Sequence, residues 1–222
     1  LKQKEYFTLV SEFMLQQTQV KTVIPYFNNF IKIIPNINSL SKINDVKLLK
    51  LWEGLGYYSR VKNLKKTALI LKKNFKGRLP SNVQELKLLP GIGDYTANAI
   101  MAICFNKPFI PLDGNIERVI KRLLNLKLVN EISKENLIKQ KKIFGTSIRS
   151  SEYAQALMEL GALICKPKNP LCSKCPLTKD CKSFKNNDFE IITKDKKKIN
   201  KFYAVEVYKK DNQFLLIKNT KF

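Results

Sequence analysis

The sequence predicts an all-α protein whose helical part closes on a metal-binding cysteine loop. Three observations carry this: apolar residues recur at spacings of three and four up to about residue 165; Cys165, Cys172, Cys175 and Cys181 stand at C-x6-C-x2-C-x5-C spacing; and there is no histidine. The 222 residues are 44% hydrophobic, enough to bury a sizeable core, and their length suits one domain of two lobes or two small domains.

Taken in order, Val20, Val23, Ile24, Phe27, Ile31 and Ile34 lay an apolar stripe on a core, with Pro25 expected to restart the helix that carries them. Ser81 and Gln84 have capping-box spacing and predict a short helix that must stop at Pro90. Further helices are expected near 94–104, over 115–124 and over 152–164, and no strand-rich half is visible. The composition changes after Cys181. Residues 194–201 carry five lysines and one aspartate and read as a solvated linker or basic tether. Beyond them FYAVEVYKKDNQFLLIK has β-branched and aromatic residues on both sides of a polar turn, the pattern of a β-hairpin. A lone hairpin is marginal in water, so it is expected to begin a further β domain. Leu1 is no initiator methionine, and the N-terminus is expected to be cut as well.

Thiolates are soft ligands for zinc or iron-sulfur clusters, and the lack of histidine removes every mixed Cys/His zinc site. Two disulfides fit poorly: no signal peptide is visible, Cys104 alone lies outside the group, and Pro167, Pro170 and Pro176 punctuate a compact ligand loop. Spacing leaves a four-thiolate zinc and a [4Fe-4S] cluster both open.

Lys and Arg number 41 against 18 Asp and Glu, a formal charge of +23. A lysine-biased composition explains part of this excess. The rest favours a polyanion, with nucleic acid first, because an acidic membrane would call for an anchor that does not appear. LPGIG at 89–93 reads as a helix-hairpin-helix: Pro90 ends one helix, Gly91 and Gly93 let the backbone turn, and free N–H groups at the next helix start can receive a phosphate. Two carboxylates are candidates for chemistry. Asp113 stands just before a helix, where its plain role is an N-cap. Glu12 sits among Phe13, Met14 and Leu15, expected at the start of the first helix, where apolar surroundings would raise its pKa and let it deliver a proton at neutral pH.

SEFMLQQTQVKTVIPYF (11–27), LWEGLGYYSRVKNL (51–64), LPGIGDYTANAI (89–100), LDGNIERV (112–119) and the four-cysteine loop together resemble the MutY-type adenine DNA glycosylases of the endonuclease III superfamily, over about residues 6–187. The resemblance implies a helix-hairpin-helix glycosylase fold. A six-helix lobe would occupy 1–108, a lobe with the catalytic aspartate and a [4Fe-4S] cluster on the four cysteines 109–187, a basic linker 188–201, and the start of a NUDIX-like domain 202–222.

It further implies a monofunctional enzyme of base excision repair. The enzyme would be a monomer in the bacterial cytoplasm at the nucleoid, acting on double-stranded DNA with adenine opposite 8-oxoguanine or guanine, without a membrane partner. Glu12 matches the acid that protonates adenine, Asp113 the carboxylate that stabilises the sugar cation, and Asn115 a support for Asp113. Tyr95 stands where the lyase branch has a Schiff-base lysine. Gln17 and Tyr57 match wedges in the base stack, with Leu15 nearby and Gly91 and Gly93 on the backbone, and Gln155 matches a contact to the extruded adenine. There are departures. The family's Pro-Trp-Arg entry segment is absent from these residues, Leu9 stands where tryptophan is common, and Glu117 stands where some relatives have lysine. A superfamily glycosylase acting on another damaged or mismatched base, and a non-enzymatic DNA-binding protein, are the alternatives.

Overall fold

Tyr6, Leu9, Val10 and Phe13 fall at helical spacing on one face and are all buried, which is why a computed structural model of the protein opens on helix α1, Lys2–Leu15. The structure describes residues 2–126, 149–189, 209–210 and 213–214. Leu9, in the position where tryptophan is common, is fully buried.

Helix α2, Val20–Ile33, runs straight through Pro25, contrary to the expected restart. The hydrogen bond that Pro25 cannot make belongs to the carbonyl of Lys21, an exposed residue on the open side of the helix. Its buried positions are Val23 and Phe30, followed by Ile34 just past the helix end, while Val20 and Ile24 are 62% and 54% exposed. The expected stripe had merged two neighbouring faces.

Short helices follow at Ile37–Lys42 (α3) and Asp45–Leu51 (α4), capped by Asn36 and Asn44, whose side chains accept from Ser39 N at 2.9 Å and Val46 N at 2.8 Å. Helix α5, Ser59–Asn74, buries Val61, Leu64, Ala68 and Leu71. Helix α6, Val83–Lys87, starts one residue later than Ser81 and Gln84 suggested. Asn82 is the cap, accepting from Glu85 N at 2.8 Å, a register that points Leu86 into the core. Helices α7, Asp94–Phe105, and α8, Gly114–Leu124, both end on left-handed asparagines, Asn106 and Asn125. Helix α9, Ser150–Glu159, passes into a π turn, Leu160–Ile164, that delivers Cys165.

One apolar cluster draws its residues from Tyr6 through Cys104 and centres on fully buried side chains such as Trp52, Phe13 and Phe30. A second joins Ile110, Ile116, Val119, Ile120 and Leu157. By compactness the chain divides into residues 1–192 and 193–222. In the latter, Lys209–Lys210 pairs antiparallel with Gln213–Phe214, inside the expected hairpin. The rest of that hairpin, and the basic linker from 190 to 201, lie outside the described residues. No helix among the described residues is long and apolar enough to cross a membrane.

Candidate active site

Glu12 lies in the last turn of α1, not at its start, because the helix already begins at Lys2. The correction strengthens its chemistry. A helix C-terminus disfavours negative charge, whereas the first turn would have welcomed it. Its neighbours in sequence, Phe13 and Met14, are fully buried, Glu12 itself is 5% exposed, and its Oε2 has no hydrogen-bond partner. Burial pushes the carboxyl up to about 7, so the acid is half protonated at neutral pH.

Asp113 does serve as the N-cap of α8: Oδ1 accepts from Ile116 N at 2.7 Å. Its other oxygen accepts from Asn115 Nδ2 at 3.1 Å, as the sequence had suggested for Asn115. Both oxygens act as acceptors, the pattern of a carboxylate rather than an acid. Tyr95, in the first turn of α7, joins the two acids. Burial, then the negative charges of Glu12 and Asp113, raise its phenol above the ordinary tyrosine range. One buried acid and one capped carboxylate thus both lie within electrostatic reach of Tyr95.

Loops with left-handed backbone border the end of α1. Gln17 has φ 57° and Tyr57 φ 47°, both are exposed, and Gly91 has φ 82°. A side chain at Gly91 would meet Phe13 at 2.8 Å, so only glycine fits there. Gln16 Nε2 donates to Gly91 O at 3.1 Å and the Thr67 hydroxyl to Pro90 O at 3.0 Å, tying the 89–93 turn to α1 and α5. Gly93 precedes α7 on an exposed turn, with no side chain of its own to cap the helix. Leu15 is half-buried against the core. Gln155 is exposed on α9, and its amide donates to the Ser151 carbonyl and hydroxyl at 3.0 and 3.2 Å.

The four loop cysteines form no disulfide and line one cavity together with Arg122, Ile164, Pro170, Thr178, Phe184 and Phe189. Burial, then the neighbouring Cys165, Cys175 and Cys181, raise the Cys172 thiol. The Thr178 hydroxyl lies 2.6 and 2.7 Å from the carbonyls of Cys172 and Cys175 and fixes the turn between them. The sulfurs stand around the walls of the cavity; among the described residues no three His, Cys, Asp or Glu converge tightly enough to hold a single ion. A soft, all-sulfur donor set around one space fits a thiolate-held cluster.

The HhH-GPD superfamily base excision DNA repair protein model matches residues 10–142, from the second half of α1 through α8, with both carboxylates. The chain belongs to this superfamily. It is 46% identical over 199 residues to the adenine DNA glycosylase of Buchnera aphidicola subsp. Baizongia pistaciae, covering 89% of this chain and 57% of that protein. It is 37% identical over 190 residues to the adenine DNA glycosylase of Homo sapiens, covering 82% and 34%. The chain spans less than two thirds of the length of these relatives. Among solved structures, a thermostable thymine-DNA glycosylase matches with a TM-score of 0.67 at 27% identity, covering 83% of this chain and 86% of that one. An endonuclease III bound to DNA matches with a TM-score of 0.68 at 24% identity, covering 81% and 84%, a likeness of fold.

Sequence reasoning missed the arginines of this HhH-GPD protein. Arg118 connects the cysteine loop to Asp113: its guanidinium donates to Cys165 O at 2.8 Å, Gly161 O at 2.7 Å and Asn115 Oδ1 at 2.8 Å, and Asn115 in turn holds Asp113. The π turn comes so close that a side chain at Gly161 would fall 2.8 Å from Asn115 Cβ. Arg122 donates to Lys166 O at 2.6 Å and Pro167 O at 2.9 Å and comes within 3.5 Å of the Cys165 sulfur. A signal was available. The chain has only five arginines, at 60, 78, 118, 122 and 149, in a background of lysine. A guanidinium kept there marks a site that needs its rigid fork of donors.

Proposed function

We propose that this chain is a monofunctional adenine DNA glycosylase of base excision repair, which hydrolyses the N-glycosidic bond of adenine mispaired with 8-oxoguanine or guanine after the base is flipped from the duplex. The observation that carries the reading is the pairing of a buried, unpartnered Glu12, poised near neutral pH, with the hydrogen-bonded carboxylate of Asp113 around Tyr95. Adenine leaves poorly as an anion, and a proton delivered to N7 by Glu12 lets it leave neutral. As the C1′–N9 bond breaks, positive charge builds on the sugar, and the fixed negative charge of Asp113 stabilises it. Water then adds at C1′ and gives its proton to the Glu12 carboxylate, which restores the acid. Adenine and an abasic site are released.

Gln17 and Tyr57 would enter the stack beside the lesion pair with Leu15 behind them. The Gly91–Gly93 turn would grip phosphate and Gln155 would contact the extruded base. Charge of +23 supports a polyanionic partner. Cys165, Cys172, Cys175 and Cys181 would hold a [4Fe-4S] cluster, which anchors the loop that carries them and stays out of the bond-breaking steps. The purified chain is expected to be brown and to carry about four iron atoms per chain. Cys104, packed in the other apolar cluster, can be replaced by alanine without loss of iron. One zinc and no iron after anaerobic preparation overturns the assignment.

The test of the activity is single-turnover incubation with duplexes carrying adenine opposite 8-oxoguanine, adenine opposite guanine, thymine glycol, or a G·T pair, followed by alkali. Cleavage at adenine alone supports the proposal. Cleavage at thymine or thymine glycol assigns the chain to another branch, and no cleavage to a binding protein. Tyrosine forms no Schiff base, so the untreated strand should stay intact. Tyr95→Lys is expected to bring in strand cleavage that borohydride traps as a covalent complex. Duplex affinity should fall with salt at a log-log slope of about −0.9 per phosphate contact, measurable by fluorescence anisotropy.

A further inference from the structure

We infer that Arg60 is a positioning residue that holds the two loops bearing Gln17 and Tyr57 as one rigid unit, and that it is required for opening the duplex rather than for breaking the glycosidic bond. The inference rests on the proposed base-flipping activity. Arg60 stands in the first turn of α5 and is 5% exposed, so its charge is almost wholly inside the protein. A buried cation of this kind is costly unless its donors are used. Here both terminal nitrogens are spent, almost wholly on loop carbonyls, and Nε alone is buried without a partner. Nη1 lies 2.6 Å from Met14 O, 2.7 Å from Gln16 O, 3.3 Å from Phe13 O and 3.1 Å from the Thr18 hydroxyl. Nη2 donates at 3.0 Å to both Leu55 O and Gly56 O.

The first set closes the C-terminal end of α1, which has no basic residue in its own last turn. The second set holds the residues just before Tyr57. The guanidinium lies over the Trp52 ring at 5.5 Å and the Tyr57 ring at 5.4 Å.

What makes this more than a core ion is where the backbone is strained. Gln17 and Tyr57 are non-glycine residues with left-handed φ, at 57° and 47°, each next to carbonyls that Arg60 holds. Such conformations are costly for a residue with a side chain and persist only where the surroundings over-determine them. Arg60 supplies that constraint to both loops from one side chain more than 40 residues away from the first. A residue that drives into a base stack must not fold back under load, and a shared rigid clamp meets that need for both at once. Arg60 also reaches the carbonyls of Phe13 and Met14, next to Glu12, but the side chains of Val10, Phe13 and Met14 are fully buried in the core and fix that turn of α1 by their own packing.

The experiment compares Arg60→Gln and Arg60→Lys with the unmodified chain on two substrates. One has adenine opposite 8-oxoguanine in intact duplex; the other has adenine opposite a tetrahydrofuran abasic analogue, whose target base lacks a pairing partner. The paired-duplex rate is expected to fall about 10- to 100-fold, as misplacement of positioning groups does, and the rate on the unpaired base less than about threefold. Fluorescence of 2-aminopurine at the target position, which reports extrusion, should fall with the first and not the second. Helical circular dichroism and cluster absorbance should match the unmodified chain. Equal losses on both substrates, or no loss on paired duplex, overturn the inference.

Should neither Arg60 variant fold, Thr18→Val, which removes one acceptor from the clamp, decides: a selective loss of about 2- to 10-fold on paired duplex supports it, and an unselective or absent effect overturns it. An unmodified chain that extrudes 2-aminopurine but releases adenine from neither substrate would sink the proposed chemistry while leaving the clamp to be read from the extrusion signal.

Discussion

Glu12→Gln is expected to slow adenine release at neutral pH by roughly 10²–10⁴-fold, the usual worth of a positioned general acid, while duplex affinity stays within a few fold. Glutamine keeps the shape of the side chain and loses the proton, so single-turnover rate and anisotropy should separate cleanly. The unmodified chain adds a second mark. Because the Glu12 carboxyl lies near pH 7, its acid form is complete below that value and declines tenfold per pH unit above it. The rate should follow this fall on the alkaline side, and the small residual rate of Glu12→Gln should not.

The same group ties stability to pH with the same sign as activity. The folded protein holds the Glu12 proton up to about pH 7, whereas the unfolded chain releases it near the ordinary 4.5. Between these values the folded state binds more protons, so stability falls as pH rises through the window. Above it, a charge sits buried without a partner. Relative to Glu12→Gln, which carries no such charge, the unmodified chain should therefore lose roughly 3 kcal/mol of unfolding free energy between pH 4 and pH 8. Urea titration of both proteins at the two pH values measures it. A constant difference would mean that Glu12 ionises freely and that its burial has no bearing on catalysis.

What the residues disclosed and what they withheld follow from how local each feature is. The 89–93 turn and the cap at Asp113 depend on neighbours a few positions away, and the structure places both as the spacing implies; the four closely spaced cysteines it brings to one cavity. Helix registers were less legible where two neighbours compete. Ser81 and Asn82 are both competent caps, and the choice of Asn82 depends on sending Leu86 inward. On α2, apolar residues occupy two adjoining faces, and only packing against other helices selects Val23 and Phe30 over Val20 and Ile24. Glu12 was placed at the wrong end of its helix because the residues that start α1 lie ahead of the acid and carry no cap signal. The arginine roles were hidden most deeply, since Arg60 and Arg118 act on partners more than 40 positions away.

Asp113→Asn is the substitution expected to show that charge, not architecture, makes the second carboxylate essential. Asparagine is as good an N-cap as aspartate, so its side-chain oxygen can still accept from Ile116 N and α8 should keep its start. Only the second contact changes: an amide nitrogen now faces the Asn115 donor in place of Oδ2, and one hydrogen bond is lost. Helicity and cluster absorbance should therefore match the unmodified chain. The sugar cation loses its counter-charge inside a partly dry site, where one preorganised electrostatic contact is worth about 10²–10³ in rate. Asn115→Ala separates the two contributions. It keeps the charge, removes the Asn115 donor and the Arg118 contact at once, and should cost only about 10-fold, the scale of one hydrogen bond. If Asp113→Asn and Asn115→Ala slow the single-turnover rate equally, Asp113 matters for holding the loop in shape, and the stabilisation of the cation must be sought in another group.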